Sequence, residues 1–243
     1  MSAPPLQHDI SVCFDSATAP ETILLFGGGA APVVVRVLRR TEQGSLRSVI
    51  ATLPPGWRVD GRGTAGHMQG YVLEGALELD ARALMVGGFF VQRGGTGLRG
   101  LASASGARVL FIFDSAPDFK TFESQAPLVF LADAMQVEPF VPVINGHPVA
   151  GFQRRVLWKD TVSGADTRLL KIAQFEGKGP NWHPVHEEIF CLAGDIGPDD
   201  RRLMKPGWFL HNPANGIHGF REHSNGGATV LEWHDGEWAI NFV

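Results

Sequence analysis

The sequence predicts an all-β protein built from two tandem β-barrels, on three observations. The 30 glycines and 16 prolines among 243 residues point to many tight turns rather than long helices. Short runs rich in Val, Ile, Leu and Phe, such as APVVVRVL, LRSVIATL, ARVLFIF, TRLLKIAQF and ATVLEW, lie between Gly, Pro, Asn and Asp turns with no helical periodicity between them. The chain also matches itself at an offset of 119 residues, which carries His67 to Gly100 onto His186 to Gly219 without a gap.

Within that repeat YVLEGAL meets FCLAGDI, and LMVGGFFVQRGGTGLRG meets LMKPGWFLHNPANGIHG; two extra residues later GARVLFIFD meets GATVLEWHD. Strands at this density close on a core as a sandwich or jelly roll. The expected order is an extended arm over residues 1–20, able to pair with a sheet edge, and a first barrel over 21–116. A proline-containing linker over 117–148, with the chain's one short helical pattern, then leads to a second barrel over 149–243.

Composition narrows the partners. A formal charge of -4 and the absence of any Lys/Arg run leave no electrostatic footprint for nucleic acid or an anionic membrane surface. The expected partner is a small molecule, together with a second copy of the chain in a homodimer formed through sheet edges. Cys13 and Cys191 lie far apart without a CxxC pair, which fits a reducing cytoplasm. The segment MSAPPLQHDISVCFDS has neither a basic nor an apolar region, and nowhere do 18 apolar residues run together, so neither secretion nor membrane insertion is expected.

Histidine is concentrated in the last hundred residues, at His147, His183, His186, His211, His218, His223 and His234. In NWHPVHEEIFCLAGDI, Glu187 stands four residues after His183 and Gly194 seven residues after Glu187; in GWFLHNPANGIH, Gly207, Pro213 and His218 are spaced alike with a second pattern. These two segments resemble the motifs of the cupin superfamily, HxH with a following Glu and Gly, and GxxxxxPxGxxH. Asn181 replaces the first His and Asn215 the Gly of the second motif. The resemblance implies a tandem cupin, or bicupin, whose double Glu, "GD" turn and "NP" before the last ligand are similar to ChrR-type cupin-like domains. The Cys and His motifs of the separate zinc-binding domain of ChrR are missing, which disfavours an anti-sigma role.

The resemblance makes His183, Glu187 and His218 the ligands of one divalent metal, with Asn181 or His186 as a possible additional ligand. Alternate residues of a strand project to one face, and neighbouring strands of the same barrel bring in the remaining ligands. Two imidazoles and a carboxylate with open positions suit Fe(II), which is favoured, and also Zn(II), Mn(II), Ni(II) or Co(II). Strand alternation turns His186 and Glu188 away from whatever Glu187 faces, unless the PVH loop bulges. His211 or Glu188 would serve as acid/base where it faces inward. Trp182 and Trp208, beside the motifs, are expected in core packing.

In the first copy Thr64, Met68 and Arg99 stand opposite His183, Glu187 and His218, and Arg62 opposite Asn181, so no ligand set survives. A cation at Arg99 would repel a divalent ion. The implied activity is that of a metal-dependent enzyme on a small oxygenated molecule, foremost an Fe(II) dioxygenase cleaving a ketone or diketone. A metal-dependent isomerase, decarboxylase or lyase, and a non-catalytic sensor, remain the alternatives.

Overall fold

The computed structural model describes residues 11–125 and 127–243; residues 1–10 of the expected arm lie outside them. Among the described residues the helical elements are two 3-10 turns, Ser16–Thr18 and Ala134–Gln136, and the remaining regular structure is β. The chain is all-β, as its turn residues and short apolar runs predict. No helix of the described residues is long and apolar enough to cross a membrane.

The chain divides into two compact units, one of Ala19–Gln136 and one of Val137–Val243 joined by the preceding stretch up to Thr18. The division falls inside the expected linker. Lys120–Thr121 and Pro127–Leu131 pair within the N-terminal unit, whereas Val143–Ile144 and His147–Pro148 form a hairpin in the C-terminal one. The expected short helix is only the 3-10 turn Ala134–Gln136, too short to complete two helical turns. From the arm, Val12–Asp15 adds a strand to the C-terminal sheet, pairing residue by residue with Trp208–His211.

The main sheets follow one strand order. In the N-terminal unit Pro127–Leu131, Phe89–Gln92, Met68–Leu79, Ala107–Phe113, Leu46–Leu53 and Val33–Arg40 lie side by side, with Glu21–Leu24 beyond. In the C-terminal unit the order is Val12–Asp15, Trp208–Asn212, Glu187–Gly194, Ala228–His234, Asp166–Ile172 and Phe152–Lys159. Residues directly opposite one another across a ladder share a face, so the registers can be read as rows.

In the N-terminal unit Met68 lies opposite Phe113; Gly70, Phe111 and Val49 form the next row; and Val72, Val109, Ala51 and Val35 the one after. In the C-terminal unit the corresponding rows are Glu187, His234 and Asp166; Ile189, Glu232 and Arg168; and Cys191, Val230, Leu170 and Arg154. The N-terminal rows fill a buried core in which Phe111 stacks on Phe113 and Phe26 packs on Trp57 and Phe119. Each buried Phe there contributes about 1.5–3 kcal/mol. The same rows of the C-terminal unit carry ionisable groups, which gain nothing from burial unless something pairs with them. Arg99 corrects one expectation: it is exposed, so no cation enters the N-terminal interior there, and the buried Thr64 and Met68 stand where His183 and Glu187 stand in the other unit.

Candidate metal centre

Three local features bring His183, Glu187 and His218 together. Glu187 opens the strand Glu187–Gly194, held on one side by Trp208–Asn212 and on the other by Ala228–His234. Asn181 and His218 form a two-bond bridge, each amide donating to the other's carbonyl at 2.9 Å. The turn between Pro213 and Gly216 is tied back by the amide of Asn215, which donates to the His183 carbonyl at 2.7 Å. Asn215 has a φ of 60°, a left-handed conformation that Asn tolerates, so its replacement of the motif glycine leaves the turn intact. Gly219 is required by contact as well: with a φ of 73°, a Cβ there would lie 2.6 Å from Asn181 Nδ2.

The ligand atoms of His183, Glu187 and His218 lie within 4.8 Å of one another, and all three residues are buried. His183 Nε2 is 3.4 Å from Glu187 Oε1, and His218 Nε2 is 3.7 Å from Glu187 Oε2. An ion bound at about 2.0–2.2 Å needs neighbouring donors about 3–3.5 Å apart, so the set closes on an ion with small adjustments. Both imidazoles are oriented for it. His183 Nδ1 lies 2.9 Å from the Ala239 carbonyl and His218 Nδ1 3.0 Å from the Gly216 carbonyl. A carbonyl can only accept, so Nδ1 carries a hydrogen in each and each Nε2 is turned toward Glu187, as a metal donor would be. The donor set thus fits a divalent ion. Asn181 Oδ1 is buried beside it without a hydrogen-bond partner, a polar atom that an ion or a bound ligand would satisfy.

Glu187 is itself tightly held. Trp238 Nε1 donates to Oε1 at 3.2 Å and Asn212 Nδ2 to Oε2 at 2.7 Å. His234 spans Glu187 and Asp166, with Nε2 at 3.3 Å from Glu187 Oε1 and Nδ1 at 2.7 Å from Asp166 Oδ1. Arg168 in turn holds Asp166 at 2.6 Å. Burial opposes the charge of Glu187, but His183 and His234 outweigh it and hold the carboxyl well below the usual carboxylate range. Burial likewise opposes protonation of His234, yet Asp166 and Glu187 raise its pKa to about 9. Burial opposes protonation of His183, but the charge of Glu187 and a hydrogen bond to it outweigh burial and shift its pKa upward.

Glu187, Glu232 and His234 form a second cluster of ligand type. His234, however, is fully enclosed and does not reach the cavity, whereas the first trio lies on the wall of a cavity of about 420 Å³. That volume lies in the range of small-ligand sites. Phe152, Leu170, Ile172, Phe175, Val230 and Ile240 are among its apolar lining, and Asn181, Arg154, Glu222 and Glu232 are among the polar groups that join the trio. Glu222 is half-buried, and burial and the charge of Glu187 push its pKa up to about 7.

Several sequence expectations are corrected here. Glu188 lies on the face opposite Glu187, across from Trp233 and His211, and lines no part of the cavity. His211 shares that far face, its Nε2 3.0 Å from His186 Nδ1. Neither can act as acid or base at the trio, because strand alternation points them away from it. His186 is removed from the ligand set for the same reason: its ring pairs with His211, and its amide donates to Asp235 at 3.0 Å. Its counterpart His67 sits against Asp114, so this position braces the same corner in both units. Trp182 and Trp208 do not line the cavity, but Trp238 does, its ring 5.0 Å from that of His183.

Asp166, Arg168, Glu232, Glu222 and Arg154 were not singled out by motif. A signal for three of them is in the sequence: Val49, Phe111 and Val35 of the first copy stand where Arg168, Glu232 and Arg154 stand in the second.

No protein-family model and no curated protein matches the chain. Solved structures do. A "putative dioxygenase" from Nostoc punctiforme PCC 73102 superposes with a TM-score of 0.79 at 18% identity, over 97% of this chain and 84% of the other. Oxalate decarboxylase from Bacillus subtilis at pH 4.6 gives a TM-score of 0.59 at 13% identity, over 95% and 78%. A structure of the same enzyme concerned with its Mn(II) centres gives 0.58 at 13%, over 95% and 79%. At such identities the likeness is one of fold, and together with the strand order and registers it shows that this chain has the all-β cupin jelly-roll fold.

Proposed function

We propose that the protein is a tandem cupin whose C-terminal unit is a metal-dependent dioxygenase for a small ketone or diketone, and whose N-terminal unit is a copy with a filled interior. The observation that carries this reading is the pair of imidazoles and single carboxylate on a cavity wall, each imidazole aimed by a backbone carbonyl. Two His and one carboxylate with open positions are the set used by non-haem Fe(II) oxygenases. The neighbour from Nostoc supports the direction. Mn(II), Ni(II), Co(II) and Zn(II) suit the same donors.

The bound ion would draw electron density from the substrate's carbonyl oxygens and offer O2 a neighbouring position. The chain's own residues supply the rest. Trp238, Asn212 and His234 fix both oxygens of Glu187, so the carboxylate meets the cavity in one orientation. The apolar wall excludes water from the carbon skeleton. Glu222, with a pKa near neutrality, takes the proton from the carbon beside the carbonyl as the general base. Turnover breaks a carbon–carbon bond next to that carbonyl and leaves both atoms of O2 in the products.

Anaerobic loading with Fe(II), followed by oxygen uptake with a panel of ketones and diketones, tests the reading. The expected result is uptake stoichiometric with cleaved substrate, lost in His218→Ala. Binding of the panel without uptake would replace the enzyme by a sensor, and a protein that binds none of the five metals and gains no melting temperature from any would overturn the site itself.

A further inference from the structure

Arg154 is the anomaly of the cavity. Its strand position is occupied in the N-terminal unit by Val35, which is 0% exposed and sits in the core row with Ala51 and Val109. Here the same row, Leu170 and Val230, places Arg154 on the cavity side of the sheet. Arg168, one row away, is paired with Asp166 at 2.6 Å and approached by Glu232 at 3.7 Å, although its own Nη1 makes no hydrogen bond. Among the described residues Arg154 has no carboxylate at ion-pair distance, although the charge of Glu232 on the same cavity wall acts on it. Its Nε is buried without a hydrogen-bond partner, and its guanidinium lies over the ring of Trp238, at 5.1 Å. Burial, helped by the like charge of Arg168, outweighs the field of Glu232, Asp166 and Glu187 and pulls its pKa below the ordinary guanidinium value. A barrel that trades a core valine for an unpaired guanidinium loses stability unless a ligand supplies the missing anion.

We infer that the substrate is a carboxylate-bearing ketone with an aliphatic tail, an oxo acid whose carboxylate is received by Arg154. The guanidinium fork offers the planar pair of donors that a carboxylate takes. Phe152, Leu170, Ile172 and Val230 line the same cavity and accept the tail. The inference rests on the metal reading above for the ketone end of the molecule, and on Arg154 alone for the acid end. It makes Arg154 a specificity-determining residue.

The test uses the full chain loaded with Zn(II), which binds without turning over, and two probes of matched shape. In 2-oxohexanoate a carboxylate stands where 2,3-heptanedione carries a neutral acetyl group. Calorimetric titration is expected to show at least a tenfold preference for the oxo acid. In Arg154→Met the affinity for 2-oxohexanoate falls roughly 10- to 100-fold, the effect of losing a charge-assisted hydrogen bond, while that for the diketone stays within about twofold. Arg154→Lys keeps a point charge and recovers part of the preference. Arg154→Met is expected to melt no lower than the parent, which separates lost recognition from lost folding. Equal affinity for the two probes, or an equal loss of both in Arg154→Met, would overturn the inference. The same titrations on metal-stripped protein keep the two readings apart. Preference for the oxo acid in a protein that binds no metal retains Arg154 and refutes the metal centre; metal binding without the preference does the reverse.

Discussion

Replacing Glu187 by Gln tests the metal centre at the residue on which most of its geometry converges. The amide keeps the volume of the carboxyl but turns one oxygen into a donor. Oε1 faces Trp238 Nε1, His234 Nε2 and His183 Nε2 at 3.2, 3.3 and 3.4 Å, and Oε2 faces Asn212 Nδ2 at 2.7 Å, so either amide orientation sets donor against donor. The charge that offsets His183 and His234 is also lost. Breaking a buried ion pair in this way costs about 3–5 kcal/mol, which at about 2–4 °C per kcal/mol for a protein of this size lowers the melting temperature of metal-free protein by roughly 6–20 °C. The pH dependence has a defined sign. The folded-state pKa of Glu187 lies below its unfolded value, so its contribution is present above the ordinary carboxylate pKa and is lost as pH falls through the folded value. The gap between parent and Glu187→Gln is therefore wide near neutrality and closes in acid. A metal arm completes the experiment: at about 100-fold excess over Kd, Zn(II) or Ni(II) adds about 3 kcal/mol to the parent and nothing to the variant. Thermal melts in chelator and in metal, at neutral and acidic pH, read all of this. A Glu187→Gln protein that melts within about 2 °C of the parent and keeps the metal-induced rise would refute the reasoning.

Other substitutions read separate parts of the structure. Glu222→Gln should remove the limb of the pH–rate profile along which activity rises with deprotonation near pH 7, and lower kcat by about 10²- to 10⁴-fold. The groups that set that limb are Glu187, His183 and Glu232, with Glu176 and Lys178 on the same cavity wall; a bound ion moves it to lower pH, and an unchanged profile in the variant would remove Glu222 from the mechanism. Gly219→Ala puts a methyl against Asn181 Nδ2 in a left-handed backbone, costing about 1–2 kcal/mol from the backbone alone and weakening metal affinity through the Asn181–His218 bridge, both measurable by melting with and without Zn(II). His211→Gln, on the far face of the sheet, should leave the metal-induced rise in melting temperature unchanged; loss of that rise would contradict the assignment of faces.

Much of the fold was legible from local chemistry. The turn residues and short β-branched runs specify strands, and the repeat specifies that the two halves share a pattern, because both are properties of neighbouring residues. The ligand trio was legible through motif spacing, since Glu187 and His183 lie close in the chain. The comparison of copies carried more than was taken from it. Met68 against Glu187 marks one changed interior position, and Val49 against Arg168, Phe111 against Glu232 and Phe113 against His234 mark the rest of the same rows.

What the sequence by itself determined is the class of fold and the three residues with ligand chemistry at motif spacing. Which face each residue occupies was decided by the tertiary structure. Glu188 and His211 carry the right functional groups for acid/base work, yet one step along a pleated strand sends them to the opposite side of the sheet. Arg154 and Glu222 carry no motif, and only closure of the barrel brings a residue of the strand Phe152–Lys159 and one of the loop before His223 to the cavity that holds His183, Glu187 and His218. Chain spacing can report residues that share a strand or a turn; it is silent on residues brought together by sheet closure, where register and burial fix the partners.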